Sequence, residues 1–518
     1  MTILTLFFLR EVTEQEIIDI CCCSRSGTAL GYDGIPFNII KETISSISSP
    51  LTHIFNLSLT SGIVPSELKI ARVVPLFKSG DKSLFSNNRP ISVLPSFSKL
   101  LEKLVYSRLI EYLNKYKILS DNQFGFRKHH STGLALTLLY DKISSSIESN
   151  ELTLGIFIDL SKAFDTVNHD ILLDKLQHYG VRGVAYKWFY NYLNDRQQFV
   201  QFNDHNSSYH LIKCGVPQGS ILGPLLFLIY VNDMCNVSNV LDFILFADDT
   251  NIFFSHKNIN YLEKTVNEEL SKLNNWCVAN KLSINFKKSI CILFKPRQKR
   301  QKFDFNININ ECVIGRVQEV TFLGVVINET LSWKPHISIV ARKISKSIGV
   351  IFKASFCLSS VSLCTLYYSL VYPYLVYCVS VWGSTYTSNL NSIFLLQKKV
   401  IRIISKSDFD AHTEPLFKNL KILKFQDIYS FHTLKFMYLL KEGFLPNMFN
   451  EMFLLTNQLH SYNTRNSNSF HIFYCRTNIR QFGIRFRGPK LFNSLPIDIQ
   501  NTKKNSSFKS KLKTFLLN

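Results

Sequence analysis

Acidic residues are scarce in this 518-residue chain. It has 38 Asp and Glu against 59 Lys and Arg, a formal charge of +21 and a pI near 9.4. Such an imbalance points to a polyanionic partner, nucleic acid before an acidic membrane surface. The twelve cysteines contain no C-x-x-C pair. Three of them stand side by side at Cys21, Cys22 and Cys23, where bridging is geometrically awkward, so neither a zinc site nor a disulfide framework is legible. The longest apolar runs, "ILGPLLFLIYV" and "SLVYPYLVYCVSVW", fall short of the roughly 18 residues of a membrane span and are broken by Gly, Pro or Ser. "MTILTLFFLREVTEQE" has no basic residue ahead of its apolar core and charges directly after it, which argues against a secretory signal. No internal repeat and no low-complexity linker is visible. The expectation is a reduced, soluble intracellular protein, in nucleus or cytoplasm, neither secreted nor bound to a membrane.

What is present fits a folded chain of two or three domains, since 46% of residues are hydrophobic and 13% aromatic. Residues 1 to about 60 read as short helices around a "GYDGIP" turn at 31–36. From "RVVPLFKSGDK" at 72–82 onward, strands alternate with helices, the pattern of an α+β or α/β body. Helices are expected at 97–116, at 131–148 (opening at Ser131-Thr132, which can accept from the free amides of a first turn) and at about 259–280. "LTLGIFID" (152–159) and "LDFILFADD" (241–249) read as strands buried on both faces, each ending in acid. "FKKSICILF" and "EVTFLGVVI" add further strands. "KPRQKRQK" (295–302) is a basic loop that serves phosphate binding as easily as targeting. Past about 330 the strand signals fade into a helix-rich region.

Asp248 and Asp249 are adjacent and cannot both face one side of a regular strand, because side chains alternate. A tight hairpin turn could present one or both at its tip. If "IFID" lies beside that hairpin, Asp159 joins them across 89 residues of sequence. Carboxylates so gathered repel one another unless cations sit between them, and Mg²⁺ is the natural occupant. Two such ions ~4 Å apart would activate a 3′-hydroxyl and stabilise departing pyrophosphate. An Asp-Asp pair also fits a solvated turn. "GVPQGSILGPLLF" (215–227) is a Gly/Pro loop that lets backbone approach a base pair, with Gln218 free to hydrogen-bond a sugar or base, or it is an ordinary entry into a core helix.

In order along the chain stand "RVVPLFKSGDKSLFSNNRPISVLPSFSKLLEKL", "QFGFRKHHST", "IFIDLSKAFDTVNHDILL", "GVPQGSILGPLLFLIYVNDM", "LFADDTNI", "KLSINFKKS" and "FLGVVI". Together they resemble the reverse transcriptase of non-long-terminal-repeat (LINE-type) retrotransposons, close to jockey-like and CR1-like elements, over about 70–330. The resemblance implies a right-hand polymerase: fingers, an α+β palm on an antiparallel sheet, a helical thumb and a helix-rich C-terminal tail. It divides the chain into an N-terminal extension (1–60), fingers and palm (61–330) and a thumb-like, helix-rich region (331–518). It implies Asp159 and Asp248 as ligands of two Mg²⁺ ions, with Mn²⁺ as a substitute, and Asp249 as the third catalytic acid. It assigns Phe164 to closing over the nucleotide sugar, against a reading as core packing. Lys78 and Arg89 match residues that contact the incoming triphosphate, a point charge and a bidentate fork, though either also fits a surface cation. Gln218 and Lys288 match nucleotide-side positions, Lys287 competing for the latter role. Phe322, Leu323 and Gly324 match a turn that grips the primer end.

The implied partners are an RNA template, a DNA primer and dNTPs; the RNA step comes from the resemblance and not from the residues. Such elements usually carry an upstream endonuclease, for which this chain leaves no room. The expectation is therefore a truncated copy, a fragment of a larger reading frame, or an element that cuts by other means. The competing readings are a nucleotidyl cyclase, which needs no template channel, and an inactive nucleic-acid-binding relic of the same element.

Overall fold

The computed structural model describes residues 5–27, 29–203, 205–299, 301, 303–459 and 469–517. Residues 300 and 302 of the basic octet lie outside this set. The chain opens with α1 (Glu14–Cys22) and α2 (Phe37–Ser61), followed by β1 (Ile70–Phe77), β2 (Asn88–Val93), α3 (Ser96–Lys115), α4 (Thr132–Glu148) and β3 (Leu152–Ile158). Next come α5 (His169–His178), α6 (Gly183–Leu193), β4 (Gln197–Phe202), β5 (His205–Asn206), β6 (His210–Leu211) and α7 (Leu222–Val231). A hairpin of β7 (Asp242–Phe246) and β8 (Asp249–His256) leads into α8 (Ile259–Ala279) and β9 (Ile290–Phe294). Short strands β10 (Asn308–Ile309), β11 (Cys312–Val313) and β12 (Gly315–Arg316) precede a second hairpin, β13 (Glu319–Phe322) and β14 (Val325–Asn328). The remaining described elements are helical, beginning with α9 (Lys334–Ala354). None of the described helices is long and apolar enough to cross a membrane.

The α+β expectation holds, with two refinements. The N-terminal helices are not all short: α2 runs 25 residues and passes through Pro50. Its buried stripe of Ile40, Ile44, Phe55 and Leu59 outweighs the single ladder bond that proline removes. The central sheet, in the order β12-β9-β3-β8-β7, is antiparallel except at its edge, where β12 joins β9 in parallel. The other main sheet is mixed, since β1 pairs antiparallel with β2 and parallel with β4.

Strand β3 explains why the central sheet reads as continuous apolar sequence. All seven of its residues are buried. Leu154, Ile156 and Ile158 point into one core with α5, α7 and α8, while Phe157 points into a second core with α4 and the C-terminal helices. Gly155 leaves room on the second face for the rings of Phe253 and Phe294, which a Cβ would meet at 2.9 and 3.0 Å. Each fully buried aliphatic side chain contributes roughly 1.5–3 kcal/mol, so covering both faces fixes strand order and register.

Helix α4 starts as expected, with Ser131 Oγ accepting from the Leu134 amide at 3.3 Å. Its outer side then receives the C-terminal region. Arg480, 7% exposed, donates to the Asp141 carboxylate at 2.6 Å and to Ser144 Oγ at 2.9 Å. Tyr140 Oη donates to the Ile479 carbonyl at 2.6 Å, and Glu148 accepts from the amides of Arg476 and Thr477. Removing one partner of a buried pair strands the other charge. Arg480→Ala is therefore expected to cost about 3 kcal/mol, the low end for such pairs because Arg485 stands 3.7 Å from the same carboxylate. Urea unfolding would measure that loss, with limited proteolysis cutting first within 469–517.

Candidate active site

The β3–β8 ladder runs from Leu152↔His256 to Ile158↔Thr250, so Asp159, the next residue of the first chain, arrives beside the start of β8. There β7 and β8 are joined by a two-residue turn, Ala247-Asp248, closed by the Phe246↔Asp249 pair. The hairpin expected from the sequence is thus present, with Asp248 in its turn and Asp249 as the first residue of the return strand. Ala247 has φ +58°, a left-handed conformation that two-residue turns usually give to glycine and that costs another residue on the order of 1 kcal/mol.

Asp159 is held from the segment that follows α8. Its carbonyl accepts from the Asn285 amide at 2.8 Å, one carboxylate oxygen accepts from Asn285 Nδ2 at 3.0 Å, and its own amide donates to Ser289 Oγ at 3.3 Å. Lys288 Nζ lies 3.9 Å from the same carboxylate on an exposed side chain, a weak ion pair. Asp249 reaches solvent at the hairpin tip. Loss of hydration to the protein around it, then the neighbouring charges of Asp248 and Asp159, push its carboxyl up to about 6. The charges of Asp248 and Asp159 thus both reach Asp249.

No group of three or more His, Cys, Asp or Glu side chains forms a metal-holding cluster among the described residues. The donor set nevertheless fits Mg²⁺ of the open kind, which one or two carboxylates hold while water and substrate phosphate complete the shell.

The other residues singled out in the sequence lie on elements outside the acid-bearing hairpin. Phe164, half-buried, stacks on Phe227 of α7 at 4.4 Å and meets Phe126 edge-on at 6.3 Å. Its carbonyl accepts from the Val216 amide at 2.9 Å, and the Gly215 amide donates to Val167 at 2.7 Å, so segments 164–167 and 215–216 are zipped together. Gly215, at φ +85°, allows this approach, because a Cβ there would lie 2.7 Å from the Asp165 carbonyl. Gln218 donates to the Asp165 carboxylate at 2.8 Å while its carbonyl accepts from Ser92 of β2. Lys78 and Arg89 lie at the end of the β1–β2 hairpin, exposed and without a side-chain partner among the described residues. Phe322 is buried edge-on to Phe157 at 5.7 Å, two residues before Asp159. Leu323 and Gly324 form a two-residue turn with φ of +46° and +77°, and Tyr377 Oη donates to the Leu323 carbonyl at 2.6 Å.

Residues 78–327 match the family described as reverse transcriptase (RNA-dependent DNA polymerase). A probable RNA-directed DNA polymerase from transposon BS of Drosophila melanogaster is 29% identical over 450 residues, 83% of this chain and 48% of the relative. The RNA-directed DNA polymerase from mobile element jockey of the same organism is 27% identical over 430 residues, 81% of this chain and 46% of the relative. A putative 115 kDa protein of the type-1 retrotransposable element R1DM is 24% identical over 71% of this chain and 36% of its own length. Residues 78–327 are a reverse transcriptase domain. The chain spans about half the length of the first two of these relatives.

Within the reverse transcriptase domain, sequence reading missed the residues that hold the acids in place. Asn285 and Ser289 sit in the quoted "INFKKS" block, yet only its lysines drew attention, because charge is the visible signal for phosphate chemistry. Asp165, whose carboxyl burial pushes up, lies beside Phe164 and receives Gln218. Gln123 opens the quoted "QFGFRKHHST" block but drew no role of its own.

The raised Asp249 sets a sign for pH dependence. The native state binds its proton more tightly than the unfolded chain, so the contribution of Asp249 to stability falls as pH rises from about 4 through about 6. In metal-free protein, Asp249→Asn should raise the melting temperature at pH 7 and flatten its decline between about pH 4 and about pH 6. Melts of both proteins in EDTA across that window would check this.

Proposed function

We propose that the chain is the RNA-directed DNA polymerase of a non-long-terminal-repeat retrotransposon, joining dNTPs to a primer 3′-hydroxyl on an RNA template. The observation that carries this reading is the convergence of Asp159 with Asp248 and Asp249 across the β3–β8 ladder. The wording "RNA-directed" follows the names of the relatives, and the excess of 59 basic over 38 acidic residues suits template and primer backbones. In this reading the β1–β2–β4 sheet is the fingers, the central sheet the palm, the β13–β14 turn with the helices from α9 onward the thumb, and the rest a helix-rich tail. The domain limits are 1–60, 61–330 and 331–518, and the site of action is inside the cell.

Asp159 and Asp248 would hold two Mg²⁺ ions, Mn²⁺ serving in their place, with Asp249 adding to the negative field. Bound there, the cations would supply charge neutralisation on the phosphates and a more acidic 3′-hydroxyl. The hydroxyl attacks the α-phosphate in line and pyrophosphate leaves. Lys78 and Arg89, exposed at the end of the β1–β2 hairpin and without a side-chain partner among the described residues, would receive the triphosphate. Phe164, backed by Phe227, would close over the nucleotide sugar and exclude a 2′-hydroxyl. Gln218 and Lys288 line the nucleotide side, and the Phe322-Leu323-Gly324 turn positions the primer end, anchored by Tyr377.

Asp248→Asn is expected to lower primer extension on a primed RNA template by more than about a hundredfold, because a ligand charge is lost. Salt-dependent template binding should stay within about twofold, because the basic surface is untouched. Full extension by this variant would refute the mechanism. Phe164→Val should admit ribonucleotides in the same assay; unchanged sugar discrimination would leave Phe164 as core packing against Phe227.

A further inference from the structure

The turn that carries Asp248 has a brace outside the metal-binding residues. The segment 122–125 runs beside the end of β7, the Leu245 amide donating to Asn122 at 2.9 Å and the Phe124 amide to Leu245 at 2.7 Å. Gln123, 3% exposed, lies between this segment and the turn. Its Oε1 accepts from the Ala247 amide at 2.9 Å and from the Gly125 amide at 2.8 Å, while Nε2 faces the Ala247 carbonyl at 3.5 Å. Ala247 is itself buried, and the strand pairing on either side gives its amide no partner. Without Gln123 a buried N–H would go unmatched at the residue whose backbone is held left-handed. Gly125 completes the contact, because a Cβ there would stand 2.3 Å from the Ala247 nitrogen.

We infer that Gln123 is a positioning residue for nucleotidyl transfer: its side-chain oxygen locks the Ala247-Asp248 turn so that the Asp248 carboxylate is preorganised for cation binding. The inference rests on the polymerase reading given above. An amide oxygen suits the task because it accepts two N–H groups while adding no charge beside three carboxylates. A misplacement of about 1 Å at such a site is enough to cost on the order of a hundredfold in rate.

The test compares full-length wild type, Gln123→Met, Gln123→Glu and Asp248→Asn. Three quantities are read: extension against Mg²⁺ concentration, Mn²⁺ binding by electron paramagnetic resonance on a complex with a dideoxy-terminated primer, and hydrogen exchange in a peptide covering 243–250. Gln123→Met keeps length and removes the acceptor. It should weaken Mn²⁺ binding and raise the half-saturating Mg²⁺ concentration about tenfold, lower kcat by about tenfold to a hundredfold, and leave the KM for dNTP within about twofold. Exchange at the turn should accelerate while primed-template binding stays unchanged.

Gln123→Glu keeps an acceptor oxygen but adds a charge that metal binding would feel, so exchange is its readout, and slow exchange should return. Wild-type metal affinity and turn exchange in Gln123→Met would overturn the inference. Should the Met variant not fold, fast exchange in Gln123→Glu would overturn it, because the acceptor is still there. Equal synthesis by wild type and Asp248→Asn would instead bring down the polymerase reading, while turn exchange still reports on Gln123 by itself.

Discussion

The pairing of β3 with β8 is the constraint on which the rest of the molecule depends. Seven consecutive residue pairs hold the two strands in one register, and that register alone brings Asp159 to Asp248 and Asp249. Gathering the acids has a cost: loss of hydration, then the charges of Asp248 and Asp159, push the Asp249 carboxyl up to about 6. What overcomes that cost is the burial of both faces of β3, where aliphatic side chains pack toward α7 and α8 and Phe157 packs toward α4. A slip of one residue would exchange those faces and also part the carboxylates. Core packing and site geometry are therefore one requirement, met by the same seven residues.

The site is rigid because each part is tied to another that is distant in sequence. Asp159 is tied to Asn285 and Ser289, the 164–167 loop to 215–218, and Gln218 in turn to Ser92 of β2. The Leu323-Gly324 turn is fixed at one end by Phe322 against Phe157 and at the other by Tyr377. These ties are mostly neutral hydrogen bonds and aromatic contacts. That choice keeps fixed cations from neutralising the acids; Lys288, the exception at Asp159, is exposed and distant enough to leave the field largely intact.

What was legible in the sequence follows from this division. The acid-ended strands showed because burial on both faces forces a continuous apolar run, and the Ala247-Asp248 turn showed because two adjacent acids cannot share a strand face. The start of α4 at Ser131-Thr132 showed because hydroxyls at a helix start have a local function, Ser131 being the one that caps. The length of α2 did not show, because Pro50 is a local signal for a break that tertiary burial overrides. Asn285, Ser289 and Gln123 did not show either. Their partners, the Asp159 carboxylate and the amides of Asp159 and Ala247, lie more than 100 residues away in sequence, and a polar residue in a loop looks the same whether it is solvated or clamped. The parallel edge strand β12 escaped notice because two residues carry no periodicity.

The C-terminal region bears on the site through α4. One side of that helix covers the face of the central sheet that includes Phe157, and the other accepts Tyr140, Asp141 and Glu148 contacts from residues 476–485. The second core runs without interruption from Phe124 and Phe157 through Trp333 and Trp382 to Phe508. Phe124 lies next to Gln123 in the segment that braces the acid-bearing turn, and its amide bonds to Leu245. Helices beyond 334 thus complete the hydrophobic surroundings of the loop on which the turn leans. A chain cut after the β14 strand would keep Asp159, Asp248, Asp249 and the residues proposed for the nucleotide side, yet it would expose one face of the sheet that holds the acids.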